Sequence, residues 1–337
     1  MLNRYQSIQT QEQKMAKQVR WGMIGCGAVT EVKSGPAYQQ TRGFVLQGVT
    51  RRNSALAADY AKRHNIPLVF KTADELIASE QIDAVYIATP PDSHMELALK
   101  VAAAGKPCCI EKPLATTLAH SEVILEAFRS KNIPLYVAYY RRSLPRFNKV
   151  KSLIDAGEIG QVRHINWHLS KAASKQDQSD EYNWRTDKAV APGGYFDDLA
   201  SHGLDLFGYL FGDYQQVKGL ATNQQNLYNA FDAITACWQH ESGITGAGSW
   251  NFGGFSQCDV VTVYGSKGEL SFSVFDEQAI TLINECGQQK FNIDNPAHVQ
   301  QYHVEHMAAA LLENAQHPST GRSATHTSWV MEQILNK

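Results

Sequence analysis

The sequence predicts an α/β Rossmann domain, a doubly wound parallel sheet, followed by an α+β domain whose open sheet is predominantly antiparallel. A chain of 337 residues exceeds what one ordinary hydrophobic core organises, so two domains are expected. From residue 19 to about 138, short β-branched apolar runs alternate with helical stretches, a pattern that demands parallel strands joined by right-handed crossovers. Beyond residue 140, strands mostly follow one another directly across Gly-containing turns, which builds antiparallel pairing. The expected division is an N-terminal arm over 1–18, a first domain over 19–138 and a second over 139–337.

In the first domain the runs VRWGMIG (19–25), FVLQGVT (44–50), DAVYIAT (83–89), PCCIE (107–111) and PLYVAY (134–139) lack strict polar alternation, so they read as strands covered on both faces. Helices are predicted over 53–64, 72–79, 93–104 and about 116–131. Thr72 with Glu75 three residues later is a capping-box signature, and Gly105 is a helix stop. In the second domain a helix is predicted from Pro145 to Gly157. Strands follow at QVRHINWHLS (161–170), AITACWQH (233–240), TGAGSWNF (245–252), VVTVYG (260–265), ELSFSV (269–274) and AITLIN (279–284). A long helix over Tyr195–Phe211 interrupts them, and two more close the chain near 298–314 and 323–335.

Composition narrows the partners. The apolar fraction is 43%, and 31 basic side chains face 33 acidic ones, so the net charge of -2 gives no electrostatic reason to expect nucleic acid or an anionic membrane. A small-molecule partner is expected instead. Six cysteines without CxxC spacing read as free thiols of a reducing compartment. The Gln-rich first 18 residues lack the apolar core of a signal peptide, and no run reaches the length of a membrane helix, so a cytoplasmic location is expected. His298, His303 and His306 lack an HExxH or an added carboxylate pattern, so they read as ordinary helix histidines and no metal is expected.

The first strand ends in GCGAVT. Gly25 permits the tight turn, Gly27 lets a pyrophosphate approach the backbone, and Ala28, Val29 and Thr30 open the following helix, with Thr30 replacing a third glycine. This predicts a dinucleotide site, against the plainer reading of a bare strand-to-helix turn. At the end of the second strand, VTRRNS offers Thr50, Arg51, Arg52 and Asn53 where a ribose-binding carboxylate would otherwise stand. Guanidinium suits a 2'-phosphate, so NADP is favoured, with NAD possible; the competing reading makes an arginine here a solvated loop charge.

Ligands of open parallel sheets bind beyond the carboxyl ends of the strands. ATPPDSH (88–94), with Thr89, Pro90 and His94, and IEKPL (110–114), with Glu111 and Lys112, occupy two such ends. The succession GCGAVT, ATPPDSH, AAGKPCCIEKPLA, YYRRSLPRF and IGQV, continued by NWRTD (183–187), GGYFDDLASHGLD (193–205) and more weakly YGSKGEL (264–270), resembles the glucose-fructose oxidoreductase, inositol dehydrogenase and MocA family. The likeness covers nearly everything after the arm. It implies that Lys112 is catalytic and touches substrate, that Glu111 contacts the cofactor, and that the Lys112–Pro113 peptide is cis. It also sets Trp184 and Arg185 near the nicotinamide, although a core role for Trp184 stays open. Tyr140 and Arg142 stand where the family often contacts cofactor or substrate, whereas Arg141–Arg146 also reads as a solvated basic face.

Asp198 and His202 are four apart in a helical stretch, which puts both on one face. A carboxylate can then orient an imidazole suited to proton transfer. The residues alone favour a structural pair; the resemblance implies that both are catalytic and substrate-binding. Asp205 reads as a structural acceptor. The implied activity is NAD(P)-dependent hydride transfer to or from a secondary alcohol or carbonyl of a sugar, polyol or related cyclic alcohol. Two alternatives stand beside it: a glycosidase-type enzyme using transient oxidation with held NAD, and a dinucleotide-sensing regulator without chemistry. The open face of the second sheet is expected to form a homo-oligomer, a dimer or tetramer.

Overall fold

The computed structural model describes residues 18–179 and 181–336, so the expected arm lies outside the described residues apart from Gln18. The first sheet contains β1 (Val19–Ile24), β2 (Phe44–Thr50), β3 (Leu68–Val69), β4 (Ala84–Ile87), β5 (Cys108–Ile110) and β6 (Leu135–Val137). Its spatial order is β3-β2-β1-β4-β5-β6 and every pairing is parallel. Between the strands run α1 (Ala28–Val32), α2 (Gly35–Gln40), α3 (Ser54–Arg63), α4 (Ala73–Ala78), α5 (His94–Ala103) and α6 (Leu118–Arg129). β4, β5 and β6 are buried at every position, which is why they lack polar alternation. Strand order reverses between β1 and β4, so the loops after these two strands part and open a crevice.

Local signals account for most boundaries. The Thr72 side chain caps α4 by accepting from the Glu75 backbone N–H at 3.1 Å, while the Glu75 carboxylate accepts from Lys71 rather than completing the box on Thr72. Gly105, with φ of 71°, follows α5 in the left-handed conformation that ends helices. The sequence does not reveal the break between α1 and α2, where Pro36 restarts the helix, nor the two-residue edge strand β3.

The second domain contains α7 (Pro145–Asp155), β7 (Val162–Ser170), a π-helical turn (Phe196–Ala200) running into α8 (Ser201–Phe211), then β8 (Tyr214–Thr222), β9 (Ala233–His240), β10 (Thr245–Asn251), β11 (Cys258–Gly265), β12 (Gly268–Phe272), β13 (Ile280–Asn284) and β14 (Gly287–Phe291). These strands form one sheet in the order β14-β13-β12-β11-β7-β10-β9-β8. All neighbours are antiparallel except β7 and β10, which are parallel because the chain crosses through α8, β8 and β9 before β10 returns beside β7. Sequence reading misses β8 and β14, whose positions are largely exposed and polar.

One face of this sheet is covered by α8, which buries nine of its 11 residues. Trp167, Phe196, Phe207 and Trp250 interlock beneath it with ring centroids 5.0 to 5.6 Å apart. The opposite face exposes Asn166, His168, Thr235, Cys237, Val260 and Tyr264. Two final helices, α9 (Gln301–Glu313) and α10 (Gly321–Leu335), tie the sheets together. Val304 and Met307 of α9 join the core of Trp21 and Tyr38, whereas Val330 and Ile334 of α10 join the core under the second sheet. Among the described residues, no helix is long and apolar enough to cross a membrane.

The reading of Arg141–Arg146 as a solvated basic face is corrected by burial, since Arg141, Arg142 and Arg146 are only 5%, 8% and 2% exposed. Arg142 is also withdrawn from ligand contact. Its Nε and Nη2 donate to the two Asp205 carboxylate oxygens at 2.7 and 2.8 Å, and Thr327 adds a hydroxyl bond to the same carboxylate at 3.2 Å. Asp205 is thus the structural acceptor expected of it. Asp205→Ala leaves the guanidinium buried and uncompensated, and a loss of about 3–5 kcal/mol is expected in urea denaturation.

Candidate active site

The glycine turn fits a dinucleotide on grounds internal to the molecule. Gly25 has φ of 94°, and a Cβ there would meet the Thr89 methyl at 2.8 Å and the Ala88 backbone at 2.9 Å. At Gly27 an added Cβ would meet nothing nearer than the Gly25 carbonyl at 3.8 Å, so it would protrude into open space, where a phosphate needs access to the backbone. The turn is pinned from below by the Gly25 N–H donating to the Thr50 carbonyl at 2.9 Å and by Arg51 Nη1 donating to the Cys26 carbonyl at 3.1 Å.

Beside this turn lies a cleft of about 460 Å³ whose walls come from both domains. Ala28 and Val29 follow the turn; Thr89 and Pro90 come from the end of β4; Glu111 and Lys112 come from the end of β5. Tyr140, Trp184, Arg185, Asp198 and His202 face them from the other side. The two ends of the chain's chemistry therefore converge, and the Lys112–Pro113 peptide is cis.

Asp198 sits in the π-helical turn at the start of α8 and takes two cations. Lys112 Nζ donates to Asp198 Oδ1 at 2.5 Å and to the Asp198 carbonyl at 2.7 Å; Arg185 Nε donates to Oδ2 at 2.6 Å. Burial by itself pushes the Asp198 carboxyl up, but the Lys112 and Arg185 charges and hydrogen bonds outweigh it and hold the group well below the usual carboxylate range. An ammonium carries three N–H donors, so Lys112 keeps one for a ligand oxygen. Arg185 also stacks on Trp184, 4.4 Å from the ring centroid.

His202 does not receive the carboxylate expected for it. No hydrogen bond joins it to Asp198, and its Nδ1 is buried without a partner among the described residues. The reason is competition: charge-assisted bonds to two cations are stronger than one to a neutral ring. The imidazole is instead caged edge-on by Tyr140 and Phe275, with ring centroids at 5.3 and 6.0 Å. Burial first, then the Arg141 and Lys112 charges, hold its pKa well below the ordinary histidine value, so the ring is neutral at pH 7 and able to accept a proton.

Glu111 lies behind the cleft floor, accepting from the Tyr86 hydroxyl at 2.5 Å and from Gln300 Nε2 at 2.8 Å. Three expected cofactor residues turn away from the cleft. Thr30 is fully buried and donates its hydroxyl to the Gly27 carbonyl at 2.8 Å, and Thr50 is 3% exposed under the turn. His94 is fully buried, with Nε2 2.9 Å from the Thr89 carbonyl and Nδ1 3.1 Å from the Pro113 carbonyl, so it braces the two strand-end loops from inside. The Thr30 and His94 side chains are held inside by these contacts with backbone carbonyls of the turns. Arg52 is exposed at the end of β2. Sequence reading missed Lys33, Arg141, Phe275 and Gln300 as lining residues. Only Arg141 carried a signal, its place within YYRRSLPRF.

A buried neutral histidine makes stability depend on pH. Between its depressed folded pKa and the unfolded value of about 6.5, only the unfolded chain takes up the proton, so stability falls as pH drops through 6.5. His202→Phe is expected to lower the pH dependence of unfolding free energy below pH 6 by up to about 1.4 kcal/mol per pH unit, measured by urea melts at successive pH values. An unchanged slope would contradict the buried neutral state.

With the geometry established, comparison with known proteins gives the lineage. Residues 19–139 match the model of the oxidoreductase family with an NAD-binding Rossmann fold, and residues 147–271 match the GFO/IDH/MocA C-terminal domain. Oxidoreductase P35 of Formosa agariphila is 33% identical over 319 residues, covering 94% of this chain and 98% of that one. A levoglucosan dehydrogenase of Pseudarthrobacter phenanthrenivorans is 28% identical over 239 residues, covering 71% of this chain and 55% of that protein. A solved levoglucosan dehydrogenase in complex with NADH and levoglucosan superposes with a TM-score of 0.83 at 21% identity, covering 94% of this chain and 96% of that one. The chain belongs to the Gfo/Idh/MocA family and is an NAD(P)-binding oxidoreductase.

Proposed function

We propose that the protein is a dehydrogenase or reductase interconverting a secondary alcohol and a carbonyl on a sugar, polyol or related cyclic alcohol, with NADP favoured over NAD. The observation that carries this reading is that Lys112, from the tip of β5, and His202, from α8, line one cleft beside the glycine turn. The substrate class is supported by the names of relatives such as levoglucosan dehydrogenase.

The nicotinamide, when bound, supplies or accepts the hydride. Lys112 directs its remaining N–H to the substrate oxygen and stabilises the charge that develops there. Neutral His202 takes the hydroxyl proton during oxidation and returns it during reduction. Asp198 acts on the lysine, aiming the ammonium through two short bonds, and Arg185 shares that carboxylate. Around the turn, Gly25 and Gly27 with Ala28 and Val29 would hold the pyrophosphate. Thr89 and Pro90 would border the nicotinamide end, with Glu111 in reach of its ribose or amide.

The NADP preference rests on Arg51 and Arg52, with no carboxylate at the end of β2. Arg51 spends one nitrogen on Cys26, so exposed Arg52 is the freer of the two to meet a 2'-phosphate. The outer face of the second sheet, which shows Leu220 at 73% and Tyr264 at 41% exposure, would cover itself in a homo-oligomer. Sedimentation equilibrium is expected to return a multiple of the 37.4 kDa chain mass; a monomer at micromolar concentration removes that part.

The function is tested by following reduced-nicotinamide absorbance over a panel of sugars, polyols and dicarbonyls with either cofactor. Lys112→Met is expected to lower kcat at least about 100-fold while NADPH binding, read by fluorescence, persists. Arg52→Asp is expected to shift the NADP-to-NAD ratio of kcat/KM about 10-fold or more toward NAD. Equal rates in wild type and Lys112→Met would overturn the assignment.

A further inference from the structure

Four cationic side chains line the cleft, Lys33, Lys112, Arg141 and Arg185, against two carboxylates, Glu111 and Asp198. Lys112 and Arg185 both pair with Asp198. Lys33 is exposed, where water solvates it. Arg141 differs from all three. It is 5% exposed, and among the described residues no carboxylate forms an ion pair with it. Its Nε donates to the Val274 carbonyl at 2.9 Å, and its Nη1 is buried with no partner among the described residues.

Two aromatic rings hold the guanidinium in place, Tyr140 at 5.0 Å and Phe275 at 4.5 Å from its carbon. The same two rings cage His202. Arg141 and the proton-transfer imidazole thus share one aromatic slot opening on the cleft. Arginine cannot shed its proton, and burying an unneutralised guanidinium is costly, so this arrangement is built to receive an anion. With Nε occupied, the end-on pair Nη1 and Nη2 remains, a planar fork that matches one carboxylate. One buried guanidinium neutralises the single charge of a carboxylate, whereas a phosphate dianion would leave a second charge uncompensated away from water.

We infer that Arg141 binds a carboxylate of the substrate, so that the preferred substrates are sugar acids, polyhydroxylated carboxylates of the uronic or aldonic type, rather than neutral sugars. The inference rests on the dehydrogenase reading above and narrows its substrate class. Arg141 is the specificity-determining residue. It anchors one end of the substrate while Lys112 and His202 meet the reacting hydroxyl.

The test compares neutral sugars with their acids, glucose with glucuronate and gluconate, galactose with galacturonate, and includes glucose 6-phosphate as a second oxyanion. Wild-type kcat/KM is expected to favour acid members at least about 10-fold over their neutral counterparts and over the phosphate. Arg141→Gln is expected to lower the acid-to-neutral ratio by about 10- to 100-fold, chiefly through KM, and Arg141→Lys to recover only part of it, because an ammonium lacks the fork. Thermal melts of both variants report on folding. Binding is read separately from turnover, by calorimetric titration of the acids into the NADPH complex. Acids that bind the wild type and fail to bind Arg141→Gln support the inference even if no turnover is seen, in which case the dehydrogenase reading fails alone. Acid-to-neutral ratios equal in wild type and variant, preference for the phosphate, or absence of acid binding in the titration would each overturn it, leaving any observed dehydrogenase activity intact.

Discussion

The site depends on one buried carboxylate shared between two cations from different places in the fold. Asp198 lies at the head of α8 and meets Lys112, 86 residues earlier, at the tip of a strand in the other sheet. Taken alone, Asp198 in this position would favour its neutral form; taken with Lys112 and Arg185, it stays ionised. The pairing therefore does two things at once. It fastens the second domain to the strand ends of the first, and it fixes the ammonium within the cleft.

A second layer of polar contacts holds that arrangement from behind. Glu111, next to Lys112, accepts from Tyr86 of β4 and from Gln300, 189 residues later, at the entry to α9. Its Oε2 also lies 3.3 Å from the Lys112 backbone nitrogen. Arg142 and Asp205 lock the start of the second domain to α8. The charges at the end of the apolar run PCCIE thus have separate tasks. Glutamate organises the floor, lysine lines the cleft, and proline carries the cis turn, with its own carbonyl facing the buried His94 ring.

Asp198 and His202 illustrate how two residues that line one cleft can be given the wrong relation. Their i,i+4 spacing promised a dyad, but spacing on a helix says only which side chains are neighbours, not which partner wins. Two cations arrived from outside the helix and took the carboxylate, leaving the imidazole in an aromatic cage. The same limit hid Arg141, since a run of arginines looks like a solvated face until burial is known. Thr30 and His94 sit in motifs expected to border the cofactor, yet their side chains serve backbone carbonyls inside the loops.

What the sequence by itself determined was whatever local pattern encodes. Most of the strand and helix succession, the parallel first sheet, the predominantly antiparallel second one, the Gly25 turn and the strand-end position of Lys112 follow from periodicity, caps and φ preferences acting over a few residues. The tertiary structure alone decided which cations Asp198 took, that Arg141 was buried with no counter-charge among the described residues, that Phe275 and Gln300 lined the cleft, and that β7 and β10 ran parallel. Those outcomes turn on competition between groups dozens to hundreds of residues apart. Burial sets the cost of each unpaired charge, and burial exists only once the chain has folded.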